Sequence, residues 1–110
     1  MKLKFLSVIF FVTFSSANFA AEMDFKICAA GGFWAGAGDR FLSGLALHIR
    51  GKKNLNFNPT CSAIWKNAYE TGEYASKTGK VRNPEEEVIV QQANDFGTQV
   101  YEALAKNINF

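Results

Sequence analysis

The spacing of apolar residues predicts helices along most of the chain. Between residues 24 and 50, apolar side chains recur every three or four positions, which is the spacing of one helical face. No segment alternates apolar and polar residues with the period of two that is typical of a half-buried strand. Asp24 is placed to cap this first helix, and Gly51 follows its last periodic residue, as C-cap glycines do. The apolar face consists of Ile27, Ala30, Trp34, Ala37, Phe41, Leu45 and Ile49.

Two further helices follow, and each is introduced by an Asn-Pro pair. In Asn58-Pro59 and Asn83-Pro84, asparagine is a favoured N-cap and proline suits the first helical position. Gly79 ends the earlier of these two helices. The apolar face of that helix consists of Cys61, Ile64, Trp65, Ala68, Gly72 and Ala75. The face of the last helix consists of Ile89, Ala93, Phe96, Val100, Ala103 and Leu104.

Short polar loops between these helices predict antiparallel neighbours in a small bundle. The expected fold class is therefore all-α, with about three to four helices in one domain over residues 21–110 and a glycine-rich, kinked first helix. A kink or a steep crossing is needed because Cys28 and Cys61 both lie near the start of a helix. Such ends lie apart in a simple antiparallel hairpin, and glycines are the natural place for a break.

The N-terminal residues have the three-part layout of a secretory signal. Lys2 and Lys4 precede a run of about ten apolar residues over positions 5–14, and small residues follow that run. The run is too short to span a membrane, which takes roughly 20 apolar residues. We therefore expect residues 1–20 to be a signal peptide.

Cleavage after Ala17 and cleavage after Ala20 both remain open. The mature domain is expected in the periplasm or outside the cell, without stable membrane insertion. The chain has a formal net charge of +2, and Lys2 and Lys4 account for it, so the remainder carries equal numbers of acidic and basic residues. No clustered basic surface of the kind that binds nucleic acid is indicated, and no nucleic-acid partner is expected.

Export gives a role to Cys28 and Cys61, the two cysteines of the chain. Oxidising compartments favour disulfides, and small domains often need one. A Cys28–Cys61 bond would close a loop of about 34 residues and stabilise the fold by about 4 kcal/mol in the chain-entropy model. The alternative is a zinc site, but zinc takes four ligands and His48 is the only histidine. We therefore favour the disulfide and expect no metal.

The sequence contains no pattern that predicts catalysis. Ser43, Ser62 and Ser76 have only His48 as a possible base, and their spacing matches no triad. The three glutamates at positions 85–87 are explained by the start of the last helix, where carboxylates meet the positive end of the macrodipole. We expect a protein that is not an enzyme, with no catalytic residue and no cofactor.

One short segment is rich in glycine, with Gly31, Gly32, Gly36 and Gly38 close together. Each glycine would cost an ordinary helix about 1 kcal/mol relative to alanine. Three explanations are open: another helix packs closely against Gly32 and Gly36, the helix is kinked, or the segment cradles a phosphate. The phosphate cradle is disfavoured because no strand precedes the glycines and no Lys-Ser/Thr pair follows them.

Cys28 lies four residues before a Gly-Phe-x-x-Gly-x-x-Asp segment formed by Gly32, Phe33, Gly36 and Asp39. This pattern resembles that of the small periplasmic immunity proteins of the Rap/Tai type, which protect bacteria from toxins injected by type VI secretion systems. The resemblance implies an exported, all-helical, disulfide-bonded domain, often a homodimer. It also implies that the four motif residues define the fold, with the glycines allowing close helix contact and Asp39 bonding to a backbone group or a cation.

Two functions are compatible with these features. One is a binding protein that neutralises a toxin effector by stoichiometric binding. The other is a small helical stress chaperone that exposes apolar surface when acid protonates its carboxylates. The chain has no lysine-rich tail of the kind that such chaperones use for solubility, which favours the toxin-binding hypothesis. The expected partner contacts are Lys52, Lys53, Asn54, Phe57, Tyr69 and Tyr74.

Overall fold

The computed structural model describes residues 25–107, and this part of the chain forms four α-helices and no strand. The all-α prediction is therefore confirmed. The predicted signal peptide lies outside the described residues. The helices are α1 (Lys26–Ala37), α2 (Arg40–Lys52), α3 (Pro59–Thr78) and α4 (Pro84–Ala105).

The predicted long first helix is broken into α1 and α2 at Gly38. This residue has a φ of 87°, a left-handed conformation that glycine adopts without steric cost. Asp39 then caps α2, because its Oδ1 accepts a hydrogen bond from the backbone N–H of Leu42 at 2.9 Å. The break at a glycine is confirmed. At the other end of α1, Phe25 occupies the N-cap position, so the prediction that Asp24 caps this helix is wrong.

The remaining glycines of the segment bring α1 and α3 into backbone contact. Gly32 faces the carbonyl oxygen of Trp65, and Gly36 faces that of Tyr69. Gly72 of α3 meets a backbone carbonyl of α1 in the same way. A Cβ atom at any of these three positions would overlap the facing backbone. Close helix packing is thus the correct explanation of these glycines, and α3 covers the surface that a phosphate cradle would need.

The Cys28–Cys61 disulfide joins the same two helices. Its Cα atoms are 5.4 Å apart, and both cysteines are fully buried. The carbonyl that faces Gly32 or Gly36 lies 33 positions later in the chain, the same separation as between the two cysteines. A constant separation means that α1 and α3 run parallel. This arrangement explains how two helix starts meet, because α2 carries the chain back between them.

Helix α1 is the centre of the fold, since it packs against each of the other three helices. Trp34 on α1 donates a hydrogen bond from Nε1 to the carbonyl oxygen of Ala93 at 2.9 Å, which ties α4 to α1. Helices α2 and α4 make little direct contact with each other. The core beside this bond consists of Phe33, Ala68, Ile89 and Ala93.

The predicted helix ends at Asn58, Gly79 and Asn83 are correct. Asn58 and Asn83 each accept a hydrogen bond from a backbone N–H three residues on, and Gly79 is left-handed at the end of α3. Gly51 is not the C-cap of α2, because the helix continues through this residue and Asn54 takes the left-handed conformation instead.

Candidate functional site

Each of the four motif residues, which were predicted to define the fold, makes a packing or capping contact. Phe33 is buried between α3 and α4, where its ring packs edge-on against Trp34 with centroids 5.1 Å apart. Gly32 and Gly36 hold the contact with α3, and Asp39 caps α2. These positions agree with the roles that the resemblance implies.

The ionisable side chains described by the structure are scattered. Among residues 25–107, no three His, Cys, Asp or Glu side chains come together as a group that could hold a metal ion. His48 is exposed on α2. No helix within this range has the length and apolar character needed to cross a membrane.

The predicted contact residues at the α2–α3 connection share one end of the molecule. Lys52, Lys53, Asn54 and Phe57 are all exposed, and Phe57 extends almost entirely into solvent, with 98% of its surface accessible. A large apolar side chain with so little contact contributes little to the stability of the fold. This loop therefore stays a predicted contact site.

The two predicted tyrosines lie elsewhere. Tyr69 and Tyr74 are about 15 and 22 Å along α3 from its start at Pro59, and five residues of separation place them about 140° apart around the helix. Tyr74 is covered by Arg82, whose guanidinium carbon is 4.5 Å from the ring centre. The structure therefore does not bring the loop and the tyrosines into one surface, although each remains a predicted contact by itself.

Glu86 belongs to the acidic first turn of α4, and besides interacting with the helix dipole it forms specific hydrogen bonds. Its side chain is buried and accepts hydrogen bonds from the Arg82 guanidinium, the closest at 2.6 Å, and from the Thr71 hydroxyl at 3.3 Å. The hydrogen bonds from Arg82 hold the pKa of Glu86 below its usual value. Because Thr71 belongs to α3, this carboxylate connects α3 to the first turn of α4. Glu85 and Glu87 remain exposed, as expected for acids that serve the helix terminus alone.

Arg50 is a buried cation that the sequence did not single out. Only 8% of its surface is exposed, and its guanidinium donates to the carbonyl oxygens of Leu55 and Asn56 and to the hydroxyl of Ser62. The ring of Trp65 lies 5.3 Å from the guanidinium carbon. Arg50 therefore holds the α2–α3 connection against both helices. A basic residue in the last helical turn is favourable when exposed, so no sequence pattern signals this burial.

One end of the molecule carries an apolar patch, formed by Phe41 on α2 with Tyr101 and Leu104 on α4. Each of these side chains is about half exposed, and the rings of Phe41 and Tyr101 are 6.3 Å apart. The prediction that Phe41 and Leu104 lie on core faces is wrong, because both are about half exposed. Helix α2 begins anew after the break at Gly38, so Phe41 does not continue the buried face of α1.

Two hollows lie between α2 and α4, which make little direct contact. The helices touch at Leu42 and Gly97, where a Cβ added to the glycine would lie 3.5 Å from Leu42 Cδ1. On one side, an open cleft beside the apolar patch is lined by Leu42, Gly97 and Tyr101. On the other, α1 forms the base of a cavity of about 240 Å³ with lysines at its edge, which we call the lysine cavity.

The chain was compared with models of protein families, with characterised proteins and with solved structures. None of the three comparisons finds a match.

Proposed function

We propose that this protein is an exported immunity protein that binds a toxin delivered to the periplasm by type VI secretion, and neutralises it without chemistry. The motif of residues 28–39 supports this proposal through its resemblance to the Rap/Tai immunity proteins. The signal-like N-terminus and the disulfide support a periplasmic location, since disulfides persist in oxidising compartments.

The observation that carries the proposal is the apolar patch. Large apolar and aromatic side chains that are partly exposed on a rigid support are typical anchors of protein interfaces. Phe41 and Tyr101 are held on helices that pack against α1, and α1 is in turn fixed to α3 by the disulfide and the glycine contacts. Such a preorganised surface loses little conformational entropy on binding, which favours the tight association that stoichiometric inhibition requires.

The test is protection from sibling attack. Deleting the gene should sensitise cells to neighbours that deliver the toxin, and the full chain should restore survival. A copy without residues 1–20 should fail, because the protein would remain in the cytoplasm. If that copy protects equally well, the periplasmic location is wrong. If deletion has no effect on survival in competition, the immunity function is wrong.

Variants of the patch test the surface itself. The double substitution Phe41→Ala and Tyr101→Ala should weaken protection by about tenfold or more at unchanged protein level. Val88→Ala is the matched control, because Val88 is also about half exposed on α4 but lies near its opposite end. Equal protection by both variants would assign binding to another surface, and the loop ending at Phe57 would be the next to test.

A second function has one observation in its favour. The buried Glu86 carboxylate joins α3 to α4, so its protonation would loosen that junction and expose apolar surface, as an acid-stress chaperone requires. Deletion would then reduce survival in acid and leave competition unchanged. Wild-type survival in acid, combined with loss in competition, would exclude the chaperone.

A further inference from the structure

The lysine cavity is separate from the apolar patch, and the two share no lining residue. It lies between the start of α1, the end of α2 and the middle of α4, on the far side of the Leu42–Gly97 contact. Its volume is about 240 Å³, and it is open to solvent at one side. The apolar wall consists of Ile27, Ala30, Ile49, Phe96 and Val100.

The size and wall of the cavity suit a small apolar group. A dry cavity of about 150 Å³ lined by aliphatic and aromatic side chains is large enough to bind benzene. The lysine cavity is larger, and its apolar wall has the same kinds of side chain beside the amides of Gln92 and Gln99. A phenyl ring or a short branched alkyl chain therefore fits against that wall. Its open side leaves room for a polar group at the edge.

The edge of the cavity carries an excess of positive charge. Lys26 and Lys53 stand there with one acid, Asp95. Within residues 25–107 neither lysine forms an ion pair, and the ion pair that the structure shows is between Arg82 and Glu86. A ligand that fills the cavity would therefore meet two lysines that have no ion-pair partner among residues 25–107.

From this combination we infer that the cavity binds small amphipathic carboxylates, in which an apolar group enters the cavity and the carboxylate meets Lys26 and Lys53. Apolar burial supplies most of the affinity. The lysines supply the preference for an acid over a neutral analogue, since each ion pair at an exposed edge strengthens binding by only about 1.4- to 5-fold. This inference does not rest on the proposed immunity function.

The experiment compares phenylacetate with phenylacetamide, which has nearly the same shape and no charge. Each is titrated into the isotope-labelled, disulfide-bonded protein while amide chemical shifts are recorded. We expect both to shift the amides of Ala30, Ile49 and Phe96, with phenylacetate binding about fivefold more tightly. Added salt should weaken the binding of phenylacetate and leave the affinity for phenylacetamide unchanged.

Charge variants separate recognition from folding. Joint substitution Lys26→Gln and Lys53→Gln should remove the preference for the acid while phenylacetamide still binds, which shows that the cavity is intact. Asp95→Asn should have the opposite effect and strengthen phenylacetate binding alone. Lys66→Gln and Lys77→Gln are the matched controls, because these exposed lysines lie on α3, away from the cavity.

Three results would overturn the inference. One is the absence of binding by either compound. Another is equal affinity for the acid and the amide in the unmodified protein. The third is a set of shifted amides outside the cavity, for example beside Phe41 and Tyr101, which would place the apolar group in the patch instead.

Discussion

The α1–α3 interface and the α2–α4 side of the molecule are built in opposite ways. Between α1 and α3, three glycines and a disulfide bring the two backbones together, and no side chain separates them at those points. Between α2 and α4, the helices meet at Leu42 and Gly97 and otherwise make little direct contact, leaving a cavity, a cleft and exposed aromatic rings. The first region fixes the shape of the domain, and the second provides its accessible surfaces.

This difference indicates which part of a small domain can serve as a binding surface. A domain of this size has only a few kcal/mol of stability, so apolar side chains left exposed must be offset by strong packing elsewhere. The disulfide contributes about 4 kcal/mol in the chain-entropy model, and the glycine contacts allow dense packing around Cys28 and Cys61. Stability concentrated in one interface thus leaves the opposite side free to bind.

The largest effect should come from an added methyl group in the tight interface. Gly36→Ala places a Cβ against the Tyr69 carbonyl, and the helices must separate to accommodate it. Because this strain exceeds the gain in helix propensity, we expect a loss of about 2–3 kcal/mol and a melting temperature lower by about 10 °C or more.

The matched control is Gly44→Ala on α2, where an added Cβ meets nothing within 4 Å. Here only helix propensity changes, and the free energy of unfolding should rise by up to about 1 kcal/mol. Thermal unfolding of the two variants measures the contrast directly. If both substitutions stabilise the protein, the backbones of α1 and α3 are not in close contact at Gly36.

The two helix starts at Asn58 and Asn83 were predictable because their chemistry is local. Asn58 and Asn83 bond to backbone groups three residues away, so a short sequence contains the whole interaction. The choice among the glycines was not local. Gly38 and Gly36 look alike in sequence, and only the presence of α3 against Gly36 decides which one stays helical.

The site was less predictable than the fold for a related reason. The exposure of Phe41 depends on how little of α2 is covered by α4, and the burial of Arg50 follows from the path of the α2–α3 connection. The spacing of apolar residues indicates only on which face of its own helix a residue lies. It does not indicate where a neighbouring helix or loop is placed. The parallel arrangement of α1 and α3 was likewise missed, because loop length gives the relation of consecutive helices only.

A smaller effect is expected at the α3–α4 junction, which lies between the two extremes. Glu86 is ionised at neutral pH with its pKa lowered by Arg82, so it stabilises the fold above the ordinary pKa of glutamate, about 4.3. That stability is lost as the pH falls through the lowered value in the folded protein. We expect Glu86→Gln to cost about 1–2 kcal/mol at pH 7 and to reduce the decline of melting temperature with falling pH.

Glu85→Gln is the control for this junction, since Glu85 occupies the same helical turn but is exposed. It should lower stability at neutral pH by only a few tenths of a kcal/mol through the helix dipole. Equal pH profiles for the Glu86→Gln and Glu85→Gln variants would mean that the Arg82 contact contributes nothing specific.

The smallest effect should come from the apolar patch, and two adjacent residues of α4 measure it. Val100 is fully buried, whereas Tyr101 is 57% exposed. Val100→Ala should cost about 2 kcal/mol, because it leaves a cavity against α1. Tyr101→Ala removes a larger side chain but should cost less than about 1 kcal/mol, since its ring contacts mainly Phe41 and solvent. Chemical denaturation of both variants measures the two losses in free energy of unfolding. If Tyr101→Ala destabilises the protein as much as Val100→Ala, Tyr101 is part of the core. The apolar patch would then not be a surface that is free to bind a partner.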